Sequence, residues 1–240
     1  MPKYVYGTNT VREILEKSKR KMYRLIVENS SASKLMDIIK LANKRMIPVQ
    51  FAPPKLLNKL VKDANHQGVV VEIDEVRFYS VDEVISSDAG VKNLCYIAVD
   101  GVVDPQNFAG IIRTAVCLGF SALIFSQDRN CQITPTVEKV ACGAVEMIRF
   151  VRVVNLNTTL DYLKDKGFWI YAADVSGKDV RKVNFNFPVV LVVGSEGKGI
   201  RVKTLERCDE IVAIPQVKEF DSLNVSVASA ILMYEIRRRF

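Results

Sequence analysis

The chain has 240 residues, 49% of them hydrophobic and 25% charged, which is the composition of an ordinary globular protein. No apolar run reaches the roughly 18 residues of a membrane helix, and the N-terminal sequence lacks the apolar core of a signal peptide. We therefore expect a cytosolic protein with no membrane partner. Five cysteines without a C-x-x-C pair, and a single histidine, His66, predict reduced core thiols and no metal site.

The positive charge is concentrated near the N-terminus. Net charge is +7; residues 1–75 hold 14 Lys/Arg against 8 Asp/Glu, whereas residues 76–240 hold 20 against 19. This asymmetry favours contact with a polyanion such as RNA. Surface lysines also keep proteins soluble, so charge alone leaves both interpretations open. The candidates for RNA contact are Lys19, Arg20, Lys21 and Arg24, in and beside a basic run.

The first 75 residues alternate between helical and strand patterns. Thr10-x-x-Glu13 before an apolar pair predicts a capping box that opens a first helix. The patterns predict strands at 22–27, 47–51 and 68–73, and helices at 31–45 and from Pro53-Pro54. This alternation predicts a small α/β domain over 1–75, followed by a linker at 76–93 where the pattern weakens.

Residues 94–240 show the same alternation in a second domain. A buried strand at 94–100 runs into Asp104-Pro105 and a helix from about 106 to 118. Gly110 and Arg113 share one face of that helix, after a strand's carboxyl end, where α/β folds place ligands. A surface arginine beside a packing glycine is an equally good interpretation from these residues alone.

The chain ends with a glycine loop, a short strand and a long helix. GSEGKG (194–199) follows five apolar residues, as a loop does after a buried strand. Its spacing matches neither G-x-x-x-x-G-K-[ST] nor G-x-G-x-x-G, which disfavours a nucleotide hydrolase or a dehydrogenase. The terminal helix is predicted at 223–239, with Asp221 or Ser222 as its cap. Its small residues predict close packing against another helix, from this chain or from a second subunit.

Three blocks carry a resemblance: DGVVDPQNFAGIIRTA, LVVGSEGKGI and IPQ…SLNVSVASAI. Together they closely resemble the motifs of the SpoU (TrmH-type) RNA ribose 2′-O-methyltransferases of the SPOUT superfamily, over residues 94–240. The first 75 residues resemble, less closely, the L30e-like RNA-binding domain of bacterial members that methylate a guanosine of 23S rRNA. The resemblance implies a parallel α/β sheet with a C-terminal deep trefoil knot, and a homodimer packed through the terminal helix.

The resemblance also implies a site for S-adenosylmethionine and RNA. The methyl donor would lie in the knot against Val193, Gly194, Gly199, Ile214 and Leu223. The catalytic motif positions fall on Asn107, Arg113, Glu196, Ser222 and Asn224. Because a guanidinium is a poor base, we expect Arg113 to bind an RNA phosphate and to stabilise the developing alkoxide. The other four would position the nucleotide, its ribose and Arg113.

Two departures and three alternatives accompany the resemblance. Many members have Met-x-Gly after the Ile-Pro of the third block, where this chain has Gln216-Val217-Lys218. Many also have Gly before Ala where this chain has Ala109-Gly110. The alternative substrates are a tRNA ribose and an rRNA adenosine. A non-catalytic RNA-binding homologue is a different class, and the intact polar motif positions argue against it.

Overall fold

The computed structural model describes residues 3–217 and 223–240. Within these ranges no helix is long and apolar enough to cross a bilayer. The strands are β1 (Lys3–Tyr6), β2 (Met22–Glu28), β3 (Val49–Ala52), β4 (Val69–Ile73), β5 (Cys95–Asp100), β6 (Ala122–Ser126), β7 (Arg149–Val153), β8 (Trp169–Asp179), β9 (Val189–Gly194) and β10 (Glu210–Ala213). The helices are α1 (Thr8–Lys17), α2 (Met36–Lys44), α3 (Pro54–Val61), α4 (Val81–Ser87), α5 (Pro105–Cys117), α6 (Pro135–Ala141), α7 (Leu156–Asp165), α8 (Val202–Leu205) and α9 (Val225–Arg237).

The chain folds into two compact units. Unit 1 comprises Met1–Val76 and Ile133–Met147, and unit 2 comprises Arg77–Gln132 and Ile148–Phe240. Unit 1 is a four-stranded sheet in the order β1-β4-β2-β3, in which β2 and β3 are parallel and the other pairs antiparallel. Buried aliphatic side chains cover both faces, from α1 and α2 on one side and α3 on the other. Unit 1 is thus the small α/β layer that the N-terminal alternation predicts.

An ion-pair cluster joins α6 to the N-terminal residues of unit 1. Glu138 on α6 is 1% exposed and pairs with Lys3 and with Arg20, whose Nη2 lies 2.7 Å from Oε2. Arg20 also pairs with Glu146. Burial by itself lowers the pKa of Arg20, but the two carboxylates outweigh it and the pKa is raised. These ion pairs explain why the segment 133–147 belongs to unit 1. The division of the chain into domains at 1–75, 76–93 and 94–240 remains a prediction.

Unit 2 is built on a six-stranded parallel sheet in the order β10-β8-β9-β5-β6-β7. The central strands are fully buried, which explains their continuous apolar sequences. The predicted α/β class with a parallel sheet is confirmed, and the trefoil knot remains a prediction. Because all strands are parallel, the loops after β5, β8, β9 and β10 emerge at one edge, where such sheets bind ligands.

Two predicted helix starts are wrong. Helix α1 begins after Gly7, and Thr10 is buried inside it with its hydroxyl donating to the Lys139 carbonyl at 3.2 Å. Helix α9 is capped by Asn224, whose Oδ1 accepts from the backbone N–H of Ser226 at 2.9 Å. The proposed caps Asp221 and Ser222 lie outside the described residues. In both helices a residue with the chemistry of a cap lies within three positions of the true cap.

The prediction of core cysteines holds for part of the set. Cys95 and Cys131 are buried, Cys142 and Cys208 are half-buried, and Cys117 is exposed on α5. Burial raises the pKa of the Cys95 and Cys208 thiols to about 12, so both stay protonated near neutral pH. The prediction of a core position is wrong for Cys117. The neighbouring residues in the sequence do not distinguish a cysteine on the exposed face of a helix from one on its buried face.

Candidate active site

Glu196 joins the three sequence blocks at the carboxyl edge of the unit 2 sheet. Its Oε2 accepts from Nδ2 of Asn107 at 3.0 Å, and its Oε1 accepts from Nδ2 of Asn224 at 3.2 Å. The same Asn224 nitrogen donates to Oδ1 of Asn107 at 2.8 Å. Three of the five predicted catalytic residues thus form one hydrogen-bonded cluster. Ser222, a fourth, lies outside the described residues.

Local helix chemistry places the two asparagines. Asp104 caps α5 by accepting from the backbone N–H of Asn107 at 3.0 Å, and Pro105 occupies the first helical position. Asn107 is then 8% exposed in the first turn of the helix. Asn224 uses its oxygen to cap α9 and its nitrogen to bind Asn107 and Glu196. The two helix starts and the cluster therefore depend on one another.

Helices α5 and α9 approach closely at Gly110. A Cβ added to Gly110 would lie 3.1 Å from Cβ of Ser226, so a larger residue would push the helices apart. This contact confirms that Gly110 permits close helix packing. Ser226, one of the small residues of α9, thus packs against α5 of the same chain. Arg113 lies on the exposed face of α5, roughly 9 Å along the helix axis from Asn107.

The loop that carries Glu196 is closed by backbone hydrogen bonds. Ser195 and Gly199 exchange N–H···O bonds of 3.0 Å in both directions. A Cβ added to Gly194 would lie 2.1 Å from the carbonyl carbon of Gly199, which leaves no room for any side chain. Gly197 has a φ of 82°, in the left-handed region. The glycines are thus needed for the loop's own geometry, which presents Glu196 on its exposed turn.

A cavity of about 500 Å³ opens beside this loop. It lies at the carboxyl ends of β9 and β10, beside the middle of β8 and beside α9, and its size is in the range of small-molecule sites. Glu196 is part of its wall, together with Asp174 and Gln216. All five residues predicted to bind the cofactor also line it: Val193, Gly194, Gly199, Ile214 and Leu223.

Sequence reasoning missed an ion pair behind the loop. Asp100 is 2% exposed at the end of β5. Nε of Arg201 donates to its two carboxylate oxygens at 2.8 and 3.0 Å, and the Arg201 backbone N–H donates at 3.3 Å. This fixes the far end of the glycine loop to β5. The available signal was a carboxylate closing an otherwise apolar strand.

Sequence reasoning also missed Asn130, which holds the turn between β5 and α5. Its Oδ1 accepts from the backbone N–H of Gly101 at 2.8 Å and of Val102 at 3.0 Å. Its Nδ2 donates to the carbonyl of Ser126 at 3.2 Å and to the hydroxyl of the same residue at 3.0 Å. Asn130 therefore fixes the turn that leads into the helix of Asn107 and Arg113. No local pattern distinguishes it from other loop asparagines.

Residues 95–234 match the family described as SpoU rRNA methylase, and residues 4–79 match the domain described as RNA 2′-O ribose methyltransferase substrate binding. The chain belongs to the SpoU rRNA methylase family. The predicted resemblance is thereby confirmed.

Relatives of this SpoU family member match along its whole length. A Bacillus subtilis protein described as a putative TrmH family tRNA/rRNA methyltransferase, YacO, is 38% identical and covers 98% of this chain and 95% of its own. The Coxiella burnetii 23S rRNA (guanosine-2′-O-)-methyltransferase RlmB is 35% identical, covering 99% and 96%. The AdoMet-bound rRNA methyltransferase of Sinorhizobium meliloti has the same fold, with a TM-score of 0.81 at 24% identity over 99% of this chain and 87% of its own.

The candidate RNA contacts of this SpoU family member have different surroundings within unit 1. Lys19 and Lys21 are exposed. Arg24 pairs with Glu72 at 2.5 Å. The Arg20 guanidinium is held by the carboxylates of the α6 cluster, which makes it a poor candidate for a phosphate contact.

His66 has a structural role in the same unit. It is 8% exposed, its Nε2 lies 2.8 Å from Oδ1 of Asn58, and its Nδ1 accepts from the Gly68 N–H at 2.9 Å. His66 thus helps to hold the turn that precedes β4. Across residues 3–217 and 223–240, no group of three His, Cys, Asp or Glu side chains is placed to hold a metal ion.

Proposed function

We propose that this protein is an S-adenosylmethionine-dependent RNA ribose 2′-O-methyltransferase that acts on a guanosine of 23S rRNA. The observation that carries the proposal is the double position of Glu196. It lies in the cavity wall and also binds Asn107 and Asn224, so a small-molecule cavity and a polar cluster suited to a nucleotide share one residue. The name of the Coxiella relative supports 23S rRNA guanosine as the substrate.

The cavity fits the methyl donor in size and in chemistry. Ile214, Leu223 and Val193 give it apolar walls for a flat base, and the glycine loop supplies backbone polar groups at close approach. When bound, S-adenosylmethionine supplies an electrophilic methyl group on a sulfonium sulfur. The protein's part is to align the ribose hydroxyl with that group and to stabilise the charge that develops on its oxygen.

Arg113 is suited to an electrostatic part of that work. A guanidinium keeps its proton throughout the physiological pH range and binds phosphate through two parallel N–H donors. On the exposed face of α5, Arg113 binds an RNA phosphate and stabilises the developing alkoxide. Its fixed position relative to Asn107 follows from their common helix.

Glu196, Asn107 and Asn224 are suited to position the ribose. The two amides occupy one acceptor direction on each Glu196 oxygen, and a carboxylate has about four such directions. Each oxygen therefore retains capacity to accept from a ribose hydroxyl. Ser222 belongs to this set as a motif position in the adjoining segment.

The proposal includes a cytosolic homodimer and a knotted C-terminal segment. Val227, Ile231 and Tyr234 are respectively 47%, 36% and 57% exposed, and their spacing of four and three puts them on one face of α9. An exposed apolar face of this kind on a terminal helix is suited to pack against its copy in a second subunit. The family's fold supports the knot.

Methyl transfer from labelled donor to rRNA, with wild type and Arg113→Ala, tests the catalytic assignment. Loss of an electrostatic contact of this kind costs on the order of 10²–10³ in rate. Arg207→Ala is the matched control, because Arg207 is an exposed arginine of the same unit outside the cavity wall. Methyl-donor binding by Arg113→Ala, measured by calorimetry, checks that the variant is folded. Transfer within a few-fold of wild type contradicts the role of Arg113.

A further inference from the structure

Asp174 is a cavity-wall carboxylate to which the proposed mechanism gives no role. Among the described residues that line the cavity, three are charged: Asp174, Glu196 and Lys198. Glu196 already binds two amides, and the rest of the wall is apolar side chains, glycine, serine and one glutamine. Asp174 therefore supplies a negative charge within a largely uncharged wall.

The sheet places Asp174 at the level of the glycine loop. Strands β8 and β9 pair in parallel up to Ala172 opposite Val192, so Asp174 follows two residues after the last pair, as Gly194 does on β9. A Cβ built on Gly199 would lie 3.6 Å from Oδ2 of Asp174. Oδ2 is thus beside the glycine loop at the edge of the cavity.

Two local hydrogen bonds fix the orientation of the carboxylate. Oδ1 of Asp174 accepts from the backbone N–H of Ser176 at 2.9 Å and from its hydroxyl at 2.7 Å. Both bonds are accepted by Oδ1, so they fix the side-chain rotamer. Oδ2, on the side of the glycine loop, keeps its capacity to accept hydrogen bonds. A carboxylate held in this way is prepared to accept hydrogen bonds from a ligand without further ordering.

We propose that Asp174 binds the methyl donor, with Oδ2 accepting hydrogen bonds from its ribose hydroxyls or its ammonium group. This inference rests on the proposed function, which places S-adenosylmethionine in the cavity. Hydroxyl and ammonium groups are the strong hydrogen-bond donors that such a ligand brings to a wall of apolar and backbone atoms. Asp174 then contributes affinity and orientation for the donor, apart from the cluster of Glu196 that faces the RNA.

Calorimetry with three ligands tests the assignment on the full-length protein. Asp174→Asn keeps the shape of the side chain and removes its charge, and Asp165→Asn, at the exposed end of α7, is the matched control. Because a hydrogen bond to a charged group is lost, Asp174→Asn is expected to weaken S-adenosylmethionine and S-adenosylhomocysteine alike, by about 10–100-fold. Ser176→Ala, which removes one of the two bonds that orient the carboxylate, is expected to have a smaller effect of the same sign.

The third ligand, 5′-methylthioadenosine, identifies the donor group. It keeps the ribose hydroxyls and lacks the ammonium, so weaker binding by Asp174→Asn assigns the contact to the ribose, and unchanged binding assigns it to the ammonium. Unchanged affinity for all three ligands overturns the proposal. A loss confined to S-adenosylmethionine also overturns it, since the contact would then be to the sulfonium charge. Failure of the wild type to bind the donor contradicts the proposed function itself, which separates the two failures.

Discussion

Arg201 and Asp100 are 101 residues apart in the chain and form an ion pair behind the candidate active site, with Nη2 of Arg201 2.6 Å from Oδ1 of Asp100. The Asp100 side chain is 1% exposed, whereas the Arg201 side chain is 40% exposed. The pair connects the end of β5, from which the chain leads to Asn107, with the end of the loop that carries Glu196. It therefore maintains the distance between two parts of the cluster.

Arg201→Gln is expected to lower the free energy of unfolding by about 2–3 kcal/mol, because it leaves the buried Asp100 carboxylate without its cation. The partial exposure of Arg201 keeps the loss below that of a fully buried pair. Urea unfolding measures it. Arg207→Gln is the control, since Arg207 and Asp161 are both about half-exposed, and that pair is expected to contribute less than about 1 kcal/mol. Equal losses in the two variants contradict the assignment.

Asn130→Ala is expected to reduce turnover about 10–100-fold while methyl-donor affinity stays within a few-fold of wild type. The variant releases the backbone N–H groups of Gly101 and Val102 and so misplaces the start of α5, and small misplacements of catalytic groups have effects of this size. The cavity wall comes from other loops. Separate measurements of turnover and of donor binding distinguish this pattern from general unfolding.

Asn155 provides the matched control for that experiment. It caps α7 by accepting from the backbone N–H of Asn157 at 3.0 Å and of Thr158 at 3.4 Å, so it makes the same kind of bonds in the same unit. Asn155→Ala is expected to cost about 1 kcal/mol of stability and to leave turnover unchanged. If both variants lose turnover equally, Asn130 has a structural role only.

Ile231→Glu is expected to convert the proposed dimer to a monomer, because it introduces a charge into the exposed apolar face of α9. Light scattering coupled to gel filtration measures the mass. Val154→Glu, at a position 90% exposed after β7, is the control and should leave the mass unchanged. A wild-type protein that is monomeric at micromolar concentration contradicts the dimer.

Replacing Lys19 and Lys21 by Ala is expected to reduce the slope of log RNA affinity against log salt by about one unit per lysine, since each phosphate contact releases about one counterion. Fluorescence anisotropy at several salt concentrations measures the slope. Lys92→Ala, an exposed lysine of unit 2, is the control. Point substitutions are preferable to a deletion of residues 1–75, because the deletion would leave the segment 133–147 without the residues that pair with Glu138 and Glu146. An unchanged slope would indicate that these lysines keep the protein soluble and do not contact RNA.

The resemblance to the SpoU family predicted most of the candidate site, because its residues lie in three long sequence blocks. Asn107, Glu196 and Asn224 each follow a strand or open a helix in blocks typical of one family, and the structure brings the three together. The buried strands were predictable from local sequence, since VVLVV and LCYIAVD are continuous apolar runs.

The remaining features depend on contacts between distant residues. The bonds of Asp100 with Arg201 and of Asn130 with Gly101 leave no periodic pattern in either partner. The docking of α6 in unit 1 likewise depends on Glu138 meeting Arg20, and Arg20 looked in sequence like one more member of a basic run. Local sequence therefore predicts the helices, the strands and the motif residues. The hydrogen bonds and ion pairs that join them are evident only in the folded structure.

The most direct test of the proposed function is to map 2′-O-methyl groups on unmodified 23S rRNA and on tRNA after incubation with the protein and labelled donor. The expected result is a single 2′-O-methylguanosine in 23S rRNA, formed by wild type and by Arg207→Ala, and reduced on the order of 10²–10³-fold in rate with Arg113→Ala. Label confined to tRNA, label on a base, or no transfer by a protein that binds the donor would contradict it.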